Sequence, residues 1–215
     1  MDKKNNIFWN DYYDSKDNNN QPSNFAKFIK KKYITKKTTL LDVGAGDGRD
    51  SFYFLNQAKY IFAIDQSDVA INKNKLKKKR LRLKNILFKK LPSNKLKILN
   101  NKKIDIIYAR FFLHAINEAN ENKFLNIIKK DFKANTIIAL EFRTTKDVLR
   151  KKGKKISINE RLTDHYRRFI DINNFKKKIE KMKFKILYIK SGINLSKSLN
   201  DNPHLCRIVF SGRIK

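Results

Sequence analysis

Short apolar runs alternating with helical patterns between residues 39 and 141 predict an α/β protein with a doubly wound, mostly parallel sheet covered on both faces. Two further observations refine that class. A glycine-rich turn joins the first apolar run to the first helical pattern. Near the C-terminus two apolar runs follow one another with no helix between them, which predicts an antiparallel C-terminal edge. The expected sheet has seven strands.

Residues 1–38 are polar, with Asn18, Asn19 and Asn20 in a row, and then an amphipathic stretch at 24–29 for which Ser23 is a suitable N-cap. They are read as an N-terminal helical segment lying over the domain. Residues 39–43 (Thr-Leu-Leu-Asp-Val) read as a buried strand and 50–57 as a helix. The pattern repeats with a strand at 60–64 and a helix from 67 to 79. Strands are expected at 85–88, 104–109 and 136–141, with a helix at 118–132 before the last. Asp171 caps a helix running to 182, and 185–190 and 205–212 are the two late strands. Residues 143–170 are basic and weakly periodic, and read as an insertion over the C-terminal edge of the sheet, where such sheets bind ligands.

The 215 residues, 40% of them hydrophobic, suit one domain, 1–215, with a sizeable core, and exclude whole-chain disorder. No run approaches the roughly 18 apolar residues of a spanning helix, so no membrane insertion is expected. The start, Met1 to Asn6, lacks the apolar core of a secretory signal, and a cytoplasmic location is the expectation. Cys206 is the sole cysteine, which rules out an internal disulfide and a cysteine-based zinc cluster, and no metal is expected. Fifty-one basic residues against twenty acidic give +31. Only 11 of the 51 are arginine, and Asn and Ile are abundant, so A/T-rich codons explain a solvated lysine surface as readily as selection explains a polyanion-binding one.

The first strand runs into Asp42-Val43-Gly44-Ala45-Gly46-Asp47-Gly48-Arg49-Asp50. Alternate glycines permit a tight turn and leave the backbone bare where a ligand approaches. The spacing is neither that of a dinucleotide fingerprint nor that of a phosphate loop ending in Gly-Lys-Ser/Thr. Asp65, 17 residues beyond Gly48, ends the second strand, where a carboxylate can accept hydrogen bonds from both hydroxyls of a ribose.

On these residues the chain resembles the class I S-adenosylmethionine-dependent methyltransferases, whose first motif is acid-x-Gly-x-Gly-x-Gly and whose second is an acid after strand two. The resemblance implies a Rossmann-like fold and S-adenosyl-L-methionine as cofactor. It implies that Gly44, Ala45, Gly46 and Gly48 wrap the methionine part, with Asp42 near its ammonium group. Asp65 would hold the ribose, with Gln66 and Ser67 beside the adenosine; Arg49, Asp50 and Ala109 complete the cofactor set. The acid often found after strand three is missing, because that region reads Phe88-Lys89-Lys90-Leu91. Tyr12 and Tyr13 are positioned to close over the cofactor as a lid.

The acceptor side has two clusters. After strand four comes Arg110-Phe111-Phe112-Leu113-His114, where Arg110 and His114 can share the face of a helical turn and Phe111 is wall. His114 is either a base or positioning group, or a packing histidine. The second cluster, Arg161 to Ile170, holds Arg161, Arg167, Arg168, His165 and Tyr166 in the segment over the active edge, with Arg143 pointing the same way. Arginine forks suit phosphate or carboxylate, though a solvated loop is the plain alternative. His114, His165 and Tyr166 are the candidates for the chemical step. Tyr13, Arg110, Phe111, Arg143, Arg161, Arg167 and Arg168 are the candidates for acceptor binding.

Together with Trp9, Tyr12-Tyr13 and Gly48-Arg49-Asp50-Ser51, these clusters resemble small methyltransferases of bacterial capsule gene clusters, including the O-methyl phosphoramidate pathway. The implied reaction is methyl transfer to an oxygen of a small anionic, phosphorylated acceptor. Such an acceptor is already nucleophilic near neutral pH and needs cations rather than a base. The alternative is an RNA methyltransferase gripping backbone with residues 73–103, which hold fourteen basic residues and no acidic one.

Overall fold

The computed structural model describes residues 3–15, 21–198 and 201–212; the asparagine run falls outside them. Two helices, α1 (Lys3–Ser15) and α2 (Asn24–Tyr33), precede the alternating part. That part comprises β1 (Thr39–Val43), α3 (Arg49–Phe54), β2 (Tyr60–Asp65), α4 (Asp68–Arg80), β3 (Ile86–Lys90), β4 (Ile106–Arg110), α5 (Glu118–Asp131) and β5 (Ile137–Arg143). There follow β6 (Lys154–Ser157), β7 (Glu160–Leu162), β8 (Tyr166–Arg168), α6 (Ile172–Lys181), β9 (Lys185–Gly192) and β10 (Leu205–Ser211).

The main sheet has seven strands in the order β3-β2-β1-β4-β5-β10-β9. The first five are parallel, while β10 lies antiparallel between β5 and β9, which is the Rossmann-like arrangement with an antiparallel C-terminal edge. Buried neighbours along each central strand serve opposite faces: Leu41 and Ile107 pack with Phe124 and Phe175, and Leu40 and Ile106 with Phe25 and Phe54. The chain reverses direction across the sheet between β1 and β4, which opens a crevice at their C-terminal ends.

Helix starts follow the polar residues that precede them. Ser23, Ser67, Asn117 and Asp171 each accept a hydrogen bond from a backbone N–H in the first turn of α2, α4, α5 and α6. Three departures from expectation stand out. The helix expected at 50–57 stops at Phe54, one turn early. The lysine-rich stretch after β3 forms a 3-10 segment, Ser93–Lys102, that drives Leu96 and Leu99 into the core. The insertion at 143–170 builds its own antiparallel sheet, β6-β7-β8, from strands of three or four residues. No helix among the described residues is long and apolar enough to cross a membrane.

Candidate active site

The glycine turn leaves β1 with Gly44 at φ +75° and Gly46 at φ +53°, in the left-handed region that favours glycine. The turn is fixed from β2. The N–H groups of Gly44 and Ala45 donate to the Ile64 carbonyl at 2.9 and 3.0 Å, and the Gly46 N–H donates to Asp65 Oδ2 at 2.9 Å. The other oxygen of Asp65 accepts from the Ser67 N–H at 2.9 Å. Asp65 is thus the residue on which the turn closes. A Cβ on Gly46 would collide with the Tyr13 hydroxyl, so the bare backbone is required by α1.

Between that turn and α1 lies a cavity of about 460 Å³, within the range of small-molecule sites. Helix α1 roofs it and is held at both sides. On the α4 side Ser67 Oγ donates to Asn10 Oδ1 at 2.7 Å, and Lys73 Nζ donates to the Tyr13 and Asp14 carbonyls at 2.7 and 2.8 Å. A lysine at these last carbonyls satisfies acceptors that the helix leaves unpaired. On the other side the Phe8 and Trp9 rings lie 4.5 and 4.9 Å from the His165 ring.

Asp42 of β1, Asp47 of the turn, Asp50 of α3 and Asp65 of β2 line this side of the cavity. Asp50 is engaged by the framework: Ser23 N, Ser23 Oγ and Tyr108 Oη all donate to it at 2.7 Å, tying α2 and β4 to α3. Asp42 accepts from Ser51 Oγ at 2.6 Å, and burial pushes its carboxyl up to about 8. Asp65 is also raised by burial, against the hydrogen bonds from Ser67 and Gly46. At Asp42 the folded state holds a proton that the unfolded chain releases near 4, so its contribution to stability is full below about 4 and lost as pH rises to about 8. Asp42→Asn keeps the acceptor for Ser51 without the charge. Its melting temperature is expected to exceed the wild type's by several degrees at pH 8 and to converge with it near pH 4, checked by thermal melting across that range.

Opposite the glycine turn stand Arg110, Arg143 and Arg167 with Phe111, His114 and His165. Arg110 Nε donates to Glu141 Oε1 at 3.0 Å, and Glu141 Oε2 accepts from Arg207 Nε at 2.6 Å. Arg143 pairs with Asp147 at 2.9 Å and with Asp201, and Arg167 with Asp164. The four arginines and four carboxylates balance. The side chains of Glu141 and Asp147 are fully buried, whereas those of Asp164 and Asp201 are 57% and 37% exposed, so only the latter two can give way to an incoming anion. Phe111 takes φ +57°, a strained choice for a bulky residue of the kind found at functional sites, and its ring lies 3.9 Å from the Arg110 guanidinium.

Both histidines are shifted toward the neutral form. Burial, then Arg143 and Arg167, hold His114 well below the ordinary imidazole range. The Arg143 N–H donates to His114 Nδ1 at 3.3 Å, which assigns the proton of the neutral ring to Nε2 and makes that atom a donor. Burial lowers His165 to about 4. Its buried Nδ1 lies 3.1 Å from Asp164 Oδ2.

The structure gathers Asp42, Gly44, Ala45, Gly46, Arg49, Asp50, Asp65, Gln66, Tyr13, Arg110, Phe111, His114, Arg143, His165 and Arg167 around the cavity. It sets the other expected residues apart from it. Gly48 starts α3 against Asn74, Ser67 caps α4, and Ala109 is buried in β4. Arg161 donates to the Ser157 and Glu160 carbonyls, and the Tyr166 hydroxyl donates to Glu160. Arg168 is buried against Glu121 and the Ile116 carbonyl. Where strand three supplies no acid, Leu91, Pro92 and Ser93 form the wall instead. Asp164, Ser196 and Asp201 also line the cavity; Asp164 sits beside its partner Arg167 in the basic cluster, whereas the partners of Ser196 and Asp201, Arg110 and Arg143, are distant in the chain.

The family model described as a methyltransferase domain matches residues 34–190. A SAM-dependent methyltransferase from Methanosarcina mazei superposes with a TM-score of 0.73 at 15% identity, over 87% of this chain and 98% of that one. An S-adenosylmethionine-dependent methyltransferase from Clostridium acetobutylicum gives 0.71 at 13% identity, over 99% and 98%. One from Anabaena variabilis gives 0.70 at 16%, over 97% and 95%. At these identities the likeness is one of fold. No curated protein matches the sequence.

Proposed function

The chain belongs to the methyltransferase-domain family, and from that premise we propose that it transfers a methyl group from S-adenosylmethionine to an oxygen of a small, anionic, phosphorylated acceptor. The observation that carries this reading is a single cavity joining the glycine turn and Asp65 to Arg110, Arg143 and Arg167. The residues suit the cofactor. Asp65 retains lone pairs beside its two backbone partners for a ribose diol. Asp42 is a buried carboxyl that a neighbouring ammonium group would ionise. Leu91, Pro92 and Ser93 offer an apolar and hydroxyl-bearing wall for the adenine.

When bound, the cofactor supplies a methyl carbon on a positively charged sulfur. The chain's part is alignment and exclusion of water. Helix α1 closes the cavity. Arg143 and Arg167 take the acceptor's anionic oxygens as Asp201 and Asp164 yield their places, and the two buried carboxylates keep Arg110 and Arg143 aimed. His114 Nε2–H donates to the acceptor. His114 presents a donor and burial makes His165 a weak base, and an already anionic oxygen does not need one. The resemblance to capsule-cluster enzymes supports a role in capsule or surface-polysaccharide synthesis. An RNA acceptor is less well supported, since the cavity is roofed by α1 and shares no lining residue with the groove on the lysine-rich stretch.

The test is transfer of labelled methyl from S-adenosylmethionine to phosphorylated sugars, the same sugars without phosphate, and bulk RNA. Label on the phosphorylated compounds alone is expected. Label on the unphosphorylated sugars or on RNA alone would refute the anionic small acceptor.

A further inference from the structure

The strongest surface feature lies away from the cavity. Between Asp68 and Asp105 there is no acidic residue, although the chain has 20 in 215, and residues 73–103 carry fourteen basic ones. A compositional drift toward lysine acts along the whole chain and does not clear acids from one interval. The interval covers the outward part of α4, the edge strand β3 and the 3-10 segment after it.

What stands among the lysines identifies the partner. Leu76, Leu81, Leu87 and Ile98 are 38–69% exposed there. A groove between α4 and β3 sets Lys75, Lys78, Lys79, Arg82 and Lys84 around Leu83 and Leu87. Single-stranded nucleic acid is held by basic grooves together with aromatic stacking platforms. Here the interval's single aromatic, Phe88, is 1% exposed. Lysines alone would serve to protect an edge strand from pairing, but that purpose gives no reason to expose leucines. Exposed aliphatic side chains ringed by lysines fit a bilayer interface, where the chains enter the headgroup region and the ammonium groups meet lipid phosphates.

We propose that the α4–β3 surface docks the enzyme reversibly on anionic phospholipid membranes. The groove and the cavity have no lining residue in common, so docking leaves the cavity free to exchange its ligands.

The test is co-sedimentation of the full chain with vesicles of phosphatidylcholine alone and of phosphatidylcholine mixed equally with phosphatidylglycerol. Binding to the anionic vesicles alone, weakened by salt, is expected. Replacing Lys75, Lys79 and Lys84 by Gln is expected to weaken it about a hundredfold, and Leu76→Ser with Leu87→Ser about tenfold. All five positions are solvent-facing or half-buried, and S-adenosylhomocysteine affinity, which should be unchanged, confirms that each variant is folded. Equal binding to both vesicle types would overturn the proposal. So would anionic binding indifferent to the leucine changes, or tighter binding to a single-stranded RNA that the lysine changes alone abolish.

Discussion

Asp65→Ala is expected to lower affinity for S-adenosylmethionine by about a thousandfold. Two effects combine. The carboxylate is the acceptor for a ribose diol, and charge-assisted hydrogen bonds are each worth about 1.5–3 kcal/mol. The same carboxylate holds the Gly46 and Ser67 N–H groups, so its removal also unties the glycine turn from β2 and leaves two buried donors unpaired. Asp65→Asn separates the effects, since its carbonyl oxygen retains one backbone partner, and an intermediate loss of about tenfold to a hundredfold is expected. Equilibrium dialysis with labelled S-adenosylmethionine measures both. Unchanged affinity in Asp65→Ala would remove the cofactor assignment.

The second large effect separates two adjacent arginines. Successive residues of a strand face opposite ways. On β8, Arg167 lines the cavity with the exposed Asp164 as its partner, while Arg168 turns inward to the buried Glu121. Arg168→Ala removes one of the two cations that hold that carboxylate, Lys178 being the other, leaves the Ile116 carbonyl unsatisfied, and is expected to cost about 1–3 kcal/mol of stability. Its affinity for the cofactor, per folded molecule, should stay the same. Arg167→Ala should melt like the wild type yet raise KM for the anionic acceptor by about a hundredfold, the worth of a lost charge-assisted contact. Melting curves and acceptor kinetics on the two single variants decide it. If Arg167→Ala unfolds the protein or leaves KM alone, the acceptor wall is wrongly assigned.

That pair shows where sequence reading runs out. From sequence both arginines belong to one basic cluster; which of them faces the cavity depends on the register of a three-residue strand that carries no periodic signal of its own. The same holds for most of the carboxylates that pair with the arginines, which come from 3 to 66 residues away. The parallel sheet, by contrast, was legible because each strand is a local apolar run bounded by polar turns, and β1 matches its expected bounds. The glycine turn and Asp65 were legible for a similar reason: backbone freedom and a strand-end carboxylate are properties of single positions. The place of Asp50 beside the turn points toward the cofactor. Its ties to Ser23 and Tyr108 emerge only when α2 and β4 are brought against α3. The 3-10 segment after β3 was hidden by its lysines, because two leucines three residues apart suffice to anchor it.

The central claim is that the cavity beneath α1 is built for an S-adenosyl ligand. It is tested most directly by calorimetric titration of the wild-type chain with S-adenosylhomocysteine, following the emission of Trp9, the sole tryptophan, in parallel. Saturable binding of one molecule per chain, with a change in Trp9 emission as the roof closes on it, is the expected result. Absence of binding would contradict the account from the glycine turn onward.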